Sequence, residues 1–198
     1  MSLRQVAKRS VQAVCLAVVS PAALLCGFGR VRLLFDCFAH YMALLPGVPG
    51  NFLRAAFYRL TLTDSSIDVD IWFGTFFSRR RVSLAPHVTI GSYCVIADVE
   101  IGARTQIASH VEIPGRHQHR RDALGRLSHS DNEPGEVVRI GADCWIGAAA
   151  VIMANIGNQS TIGAGSVVVK EIPPGVIAVG TPAKAIKSST PSETRIAE

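Results

Sequence analysis

The strongest constraint in this sequence is a period. From Val82 onward, aliphatic residues fall at Leu84, Ile90, Ile96, Ile101, Ile107 and Ile113, and again at Ile140, Ile146, Ile152, Ile156, Ile162 and Val168. The successive gaps are 6, 6, 5, 6, 6, 27, 6, 6, 4, 6 and 6. An amphipathic helix repeats every 3.6 residues and a half-buried strand every 2, so neither sustains a period of six. A parallel β-solenoid of triangular section does, because each hexapeptide supplies one short strand and one corner, and three make a coil. In most units Gly or Ala follows the aliphatic, as in Ile90-Gly91 and Ile146-Gly147, and a small residue there is expected to let the backbone turn the corner. Two residues before the aliphatic stands a small or β-branched side chain such as Val88, Thr105 or Val138. So narrow a prism excludes repeated aromatic residues, and beyond Arg81 only Tyr93 and Trp145 occur.

The part before Val82 has a different chemistry. The chain of 198 residues carries a formal charge of +5, with 48% apolar and only 18% charged residues, which excludes intrinsic disorder. Residues 1–81 hold ten Lys or Arg against four acids, net +6, whereas residues 82–198 are at net −1. The basic excess therefore travels with the apolar N-terminal part, which points to an anionic lipid surface and away from nucleic acid.

After Arg4, Lys8 and Arg9, the run Val11 to Phe28 has no charge over 18 residues, near the lower limit for crossing a bilayer. Pro21 is expected to bend or break a helix there, and Arg30 and Arg32 follow at once. Positive residues on both flanks favour a hairpin or interfacial helix with both ends cytoplasmic over a single span. A cleaved signal peptide is the main alternative, with a basic start, an apolar run and small residues near Ser20 to Ala23, although Leu25 is too large for a lipoprotein cleavage site before Cys26. A helix that simply packs on the domain is a further alternative. From Arg32 to Leu45, the residues Leu34, Cys37, Phe38, Tyr41, Leu44 and Leu45 keep helical spacing and predict a second helix buried on that face. Pro46 to Gly50 reads as a stop and turn, and Asn51 to Leu60 as a short amphipathic helix whose Arg54 and Arg59 would meet anionic headgroups. The five scattered cysteines, with no CxxC spacing, read as small buried thiols in a reducing compartment. Residues 1–60 are thus a helical membrane-associated segment, 61–81 a connection, 82–187 the solenoid and 188–198 a tail.

The repeat, taken with IGADCWIG (Ile140 to Gly147), IGAGSVVVKEIPPG (Ile162 to Gly175) and AVGTPAKAIK (Ala178 to Lys187), resembles the hexapeptide-repeat acyltransferases of the galactoside, maltose and polysaccharide O-acetyltransferase type. The resemblance covers roughly residues 82–187. It implies an all-β catalytic domain, a left-handed parallel β-helix assembled as a homotrimer, with acetyl-coenzyme A in grooves between prisms and no metal. The implied activity is acetyl transfer, with a sugar hydroxyl on a lipid-linked or nucleotide-linked intermediate as the expected acceptor and an amino-sugar nitrogen or serine as alternatives. The membrane segment adds the expectation of a lipid-linked or polymer-precursor saccharide at the cytoplasmic face of the inner membrane.

The 27-residue gap between Ile113 and Ile140 leaves room for a polar loop, 114–136, and solenoid insertions of this kind carry function. Transfer from a thioester to a hydroxyl needs a base near neutral pKa, and imidazole is suited to it. The loop and its approach contain His110, His117, His119 and His129. The resemblance places the base about ten residues after an IAP or IAS corner; Ile107-Ala108-Ser109 leads to His117, with His119 close behind. His110 is expected to be structural and His129 solvated. Asp98, Glu100, Glu112 and Asp122 are all candidates for the carboxylate that orients the imidazole. For the donor, the resemblance implies Ala148 and Ala164 at the pantetheine arm and Lys170, Lys184 and Lys187 near the nucleotide phosphates. Val169 stands where relatives often have threonine. Two rival readings share the prism: a non-catalytic scaffold at the membrane, and a γ-class carbonic anhydrase with zinc on His87, His117 and His119. The two-residue spacing of the last pair and the C-terminal block speak against the second.

Overall fold

The computed structural model describes residues 3–114, 126 and 136–188. Three helices come first: α1 (Leu3–Leu25), α2 (Arg32–Ala43) and α3 (Gly47–Thr61). A left-handed parallel β-helix follows. Its first coil is β1 (Asp64–Ser65), β2 (Asp70–Ile71) and β3 (Phe76–Phe77); the second is β4 (Val82–Leu84), β5 (Thr89–Ile90) and β6 (Val95–Ile96). The third is β7 (Val99–Ile101), β8 (Gln106–Ile107) and β9 (Glu112–Ile113), and the fourth β10 (Val138–Ile140), β11 (Trp145–Ile146) and β12 (Val151–Ile152). Then come β13 (Thr161–Ile162), β14 (Val167–Val168), β15 (Val176–Val179) and β16 (Lys184–Ser188), the last antiparallel to β15. Strands stack into three sheets, β1-β4-β7-β10, β2-β5-β8-β11-β13-β15-β16 and β3-β6-β9-β12-β14, called here faces one, two and three. The corner that follows each face takes its number.

The period-six aliphatics form the core. Ile71, Ile90, Ile107, Ile146 and Ile162 are stacked and buried on face two, and Phe77, Ile96, Ile113, Ile152 and Val168 on face three. Each buried side chain contributes on the order of 2 kcal/mol of hydrophobic stabilisation. The positions two residues earlier are also buried, and where they are polar they bond between coils. Thr75 Oγ1 donates to Gly91 O (2.6 Å) and accepts from Cys94 N; Thr105 Oγ1 repeats the arrangement with Gly141 O (2.6 Å) and Cys144 N. Burial pushes the Cys94 and Cys144 thiols up, so both stay protonated. Cys37, by contrast, is exposed, and the expectation of uniformly buried thiols holds for the other four.

The small residue after each aliphatic serves a different purpose from the one expected. A methyl built on Gly91 would stand 2.6 Å from the Ala108 carbonyl carbon in the next coil, so glycine is required by close coil-to-coil approach. The turn itself falls two residues later, at His87, Tyr93, Arg104, His110, Asp143 and Ala149, which adopt φ of 57 to 64°.

The solenoid also begins earlier than expected. The stretch 61–81, read as a connection, holds the end of α3 and then the strands of the first coil, with Asp70↔Thr89 and Phe76↔Val95 in parallel register. Ser65 and Phe77 occupy inward positions there, so the aliphatic signature is missing. Phe77 is tolerated because this coil is the prism's end, where Tyr58 of α3 packs edge-on against it at 4.6 Å.

Four helical expectations are corrected. Pro21 does not break α1: the Ala17 carbonyl, deprived of its backbone donor, accepts from Ser20 Oγ at 2.9 Å. α2 buries Phe35, Ala39, Met42 and Ala43, while Leu34, Tyr41 and Leu44 of the expected face are exposed. The helix is apolar nearly all round, and the side carrying two alanines permits the closer approach to α3. α3 starts inside the supposed stop at Gly47, because Pro49 sits in the first turn, where its missing N–H is not needed. Arg54, expected at headgroups, is completely buried; its guanidinium donates to Ile71 O (2.6 Å), Leu45 O (2.6 Å) and Met42 O (3.1 Å), tying α2 and α3 to β2. α1 is clasped through Asp68, which pairs with Lys8 and Arg9 (both 3.0 Å) and accepts from Gln12 (3.1 Å).

Candidate active site

Corner two is a column of stacked turns: Ser92-Tyr93, Ser109-His110, Ala148-Ala149 and Ala164-Gly165. Ala149 N donates to Ser109 O (3.0 Å), and Gly165 N to Ala148 O (2.8 Å). Ala148 and Ala164, the residues expected at a pantetheine arm, are therefore one coil apart, both exposed. With side chains this small, the two coils present mainly backbone to solvent and leave a smooth strip. At the C-terminal end of that strip the chain crosses corner two again, where Val167 N donates to Gly180 O and Ala183 N to Val167 O. Lys184 follows immediately, exposed, opposite Val179 in β15. Lys170 stands exposed on corner three. The backbone of Lys187 pairs with Ile177, while its side chain lies outside the described residues. At the other end of the strip, the His110 ring is stacked on Tyr93 at 5.3 Å, and both are exposed. His110 thus sits at a corner in a left-handed turn, as a structural reading would have it.

The polar excursion leaves corner three after Ile113 and Pro114. His117, His119, His129 and Asp122 lie outside the described residues. Its root is well defined. Ala97 N donates to Ile113 O (2.8 Å) on the outgoing side, and Val138 N donates to Asp98 O (3.1 Å) on the return. Of the carboxylates singled out in the sequence, Asp98 is the one held between these two legs. Its side chain is 2% exposed and pairs with Arg81 at 3.2 Å. Burial raises its pKa, and the guanidinium groups of Arg81 and Arg79 oppose the shift. Glu100 is instead engaged by Arg139 at 3.0 Å on the outside of face one, and Glu112 is exposed on face three. His87, part of the rival zinc set, stands on corner one.

Two features escaped the sequence reading. The run Arg79-Arg80-Arg81 lies on corner three, two coils from the root of the excursion. Sequence position alone tied it to the basic N-terminal part; only the stacking of β3, β6 and β9 puts it on the same corner as the root of the excursion. The Tyr93–His110 stack likewise depends on two turns 17 residues apart being neighbours, a consequence of the coil length.

No protein-family model matches the chain. A bifunctional protein GlmU from Rubrobacter xylanophilus is 34% identical over 106 residues, 50% of this chain and 22% of that protein. Galactoside O-acetyltransferase of Escherichia coli is 48% identical over 52 residues, 25% of this chain and 26% of that protein. The matched stretches are thus about a quarter of the length of these curated relatives. Among solved structures, a maltose O-acetyltransferase from Clostridium difficile superposes with a TM-score of 0.56 at 24% identity, over 81% of this chain and 87% of the other. A galactoside acetyltransferase in complex with coenzyme A gives 0.52 at 21%, over 83% of each chain. In local sequence and in fold, the chain resembles the hexapeptide-repeat acetyltransferases.

Proposed function

We propose that this protein is an acetyl-coenzyme A-dependent O-acetyltransferase acting on a saccharide at the cytoplasmic face of the inner membrane. The observation that carries the reading is the strip on corner two, where Ala148 and Ala164 stack in successive coils and lead to Lys184. An extended pantetheine arm fits along such a strip through backbone groups, and ammonium groups at its end suit a phosphorylated nucleotide. The coenzyme A bound by the galactoside enzyme of like fold supports the same donor here. In the reaction, His117, with His119 as the alternative, takes the proton of the acceptor hydroxyl as its oxygen attacks the thioester carbonyl. The tetrahedral oxyanion collapses, the C–S bond breaks, and the departing thiolate receives the proton from the imidazolium. A homotrimer would enclose the strip between neighbouring prisms.

The membrane part of the reading is supported by the exposed apolar side chains of the helices, among them Val14, Val18, Leu24, Leu33 and Leu44. α1 is long and apolar enough to cross a bilayer, yet one stripe of it (Gln12, Cys15, Val19, Ala23) is buried against the rest of the protein, which favours lying in the interface. The test is release of free coenzyme A from acetyl-coenzyme A in the presence of membrane glycolipid extracts. His117→Ala should lower the rate by about 10²- to 10⁴-fold. If transfer survives in both His117→Ala and His119→Ala, the histidine base is wrong; if no acceptor stimulates release by the unmodified protein, the scaffold reading replaces this one.

A further inference from the structure

The arginine run on corner three is more than a surplus of charge. Its backbone is locked: Arg80 O accepts from Thr63 N (2.9 Å), Thr63 Oγ1 (3.1 Å) and Val82 N (2.8 Å). Three arginine side chains therefore leave one fixed turn, and all three are half-buried. Arg81 is engaged by Asp98. Arg79 also lies close enough to Asp98 to oppose the rise in its pKa, whereas no salt bridge of Arg80 is found among the described residues and Arg80 Nε is buried with no hydrogen-bond acceptor. A half-buried guanidinium with an unmet donor is costly unless an anion completes it, and the guanidinium fork suits phosphate oxygens.

The place of the cluster says which anion. Coils stack about 4.8 Å apart, so the turn at Arg79 lies about 10 Å along the prism from the root of the excursion at Pro114. That distance is spanned by one or two sugar rings. α2 packs at the same end, with the His40 ring 4.4 Å from Phe76, three residues before Arg79. The apolar helix faces, the arginines and the loop root thus follow one another along the molecule.

We infer that Arg79 and Arg80 form the anion subsite of the acceptor, taking the phosphate or diphosphate that joins the saccharide to its carrier. The inference rests on the acyl-transfer reading and narrows its acceptor to a phosphate-bearing glycosyl compound. Such an acceptor is held by its carrier end at the arginines while a ring hydroxyl extends to the loop. A free, uncharged sugar would leave the buried Arg80 donor without an anion and bind weakly.

The experiment is a calorimetric titration of the full-length protein with inorganic pyrophosphate, in excess coenzyme A so that the donor groove is filled. The Arg79→Gln/Arg80→Gln variant should bind pyrophosphate roughly tenfold or more weakly than the unmodified protein, and Arg79→Lys/Arg80→Lys should lose less. Uridine diphosphate and farnesyl diphosphate, added as competitors, separate a nucleotide carrier from a lipid carrier; displacement by either supports the subsite. Equal pyrophosphate affinity in the unmodified protein and the Gln variant overturns it. So does a loss seen only in sedimentation with phosphatidylglycerol-containing phosphatidylcholine vesicles, which would give the arginines to the lipid surface. Should the double variant unfold, the single Gln variants carry the same comparison. Failure of the acyl-transfer reading shows separately, as absent coenzyme A binding while pyrophosphate binding still depends on Arg79 and Arg80.

Discussion

Corners one and two of the prism make two opposite demands on residues only two positions apart. Gly91 has an ordinary φ but no room for a methyl, because the Ala108 carbonyl carbon would lie 2.6 Å away. Ala149 has room, being exposed, but holds φ at 57°, where a Cβ costs about 1 kcal/mol. The two substitutions should therefore move stability in opposite directions. Gly91→Ala is expected to destabilise by about 1–3 kcal/mol, the cost of prying coils apart. Ala149→Gly is expected to be neutral or stabilising by at most about 1 kcal/mol, since relief at positive φ offsets the extra freedom of the unfolded chain. Urea unfolding of the two variants decides it; equal destabilisation by both would mean that the corner tolerates neither change for some common reason. The contrast also explains why the glycines could be found in the sequence while their purpose could not. A period marks which positions are small, and the coil above, known only after folding, decides whether smallness serves a turn or a contact.

Among the elements, α1 is held at its start by one carboxylate. Desolvation raises the Asp68 pKa, but the Gln12 amide, Lys8 and Arg9 more than offset it, so the carboxyl titrates below its ordinary value. A group depressed in the folded state contributes stability above its unfolded pKa of about 3.9 and loses it as pH falls through the folded value. The clasp should be intact at pH 7 and released in acid below about pH 4. Lys8 and Arg9 are about half exposed, so the clasp is taken as about 1 kcal/mol. Asp68→Asn at pH 7 should speed amide hydrogen exchange in α1 by about fivefold while leaving the prism strands unchanged; unaltered exchange would show that the α3 contact alone holds the helix. How far the elements could be read beforehand follows from what repeats. The coils from Val82 onward were legible because Leu84, Ile90 and their successors recur in phase. The first coil was not, since Ser65 and Phe77 replace aliphatics where α3 covers the end of the prism. The buried side of α2 was not legible either, because two apolar stripes compete and the choice is made by Ala39 and Ala43 against α3. Arg54 misled for a similar reason: an arginine on an amphipathic helix has the same signature whether it faces lipid or caps three carbonyls. At the candidate site, the small corner residues Ala148 and Ala164 were found through a motif, whereas Asp98 needed the stacking of coils to stand at the root of the loop and Arg79 to stand on the same corner two coils away.

The whole molecule is two bodies with different surfaces, a nearly neutral prism and a basic, apolar helical end. Arg54 joins them from within, so the exposed residues of α1 are free of structural duty. Val14 and Val18 lie one helical turn apart, each 62% exposed, on the side of α1 away from the buried stripe. If that side rests in a lipid interface, each valine buries apolar area worth on the order of 1.5 kcal/mol, and a lysine in its place forfeits that. Val14→Lys/Val18→Lys should therefore reduce co-sedimentation with phosphatidylglycerol-containing vesicles by at least about tenfold, even though it adds two positive charges. Its thermal midpoint in solution should stay unchanged, because both side chains already face water there. The sign is the useful part: a purely electrostatic attachment would strengthen with two more lysines, and an attachment through buried apolar area would weaken. Vesicle binding that rises in this variant would turn the helical end into a charged tether; unchanged binding, with the intact protein recovered free of detergent, would remove the membrane from the picture and leave the apolar face to another protein surface.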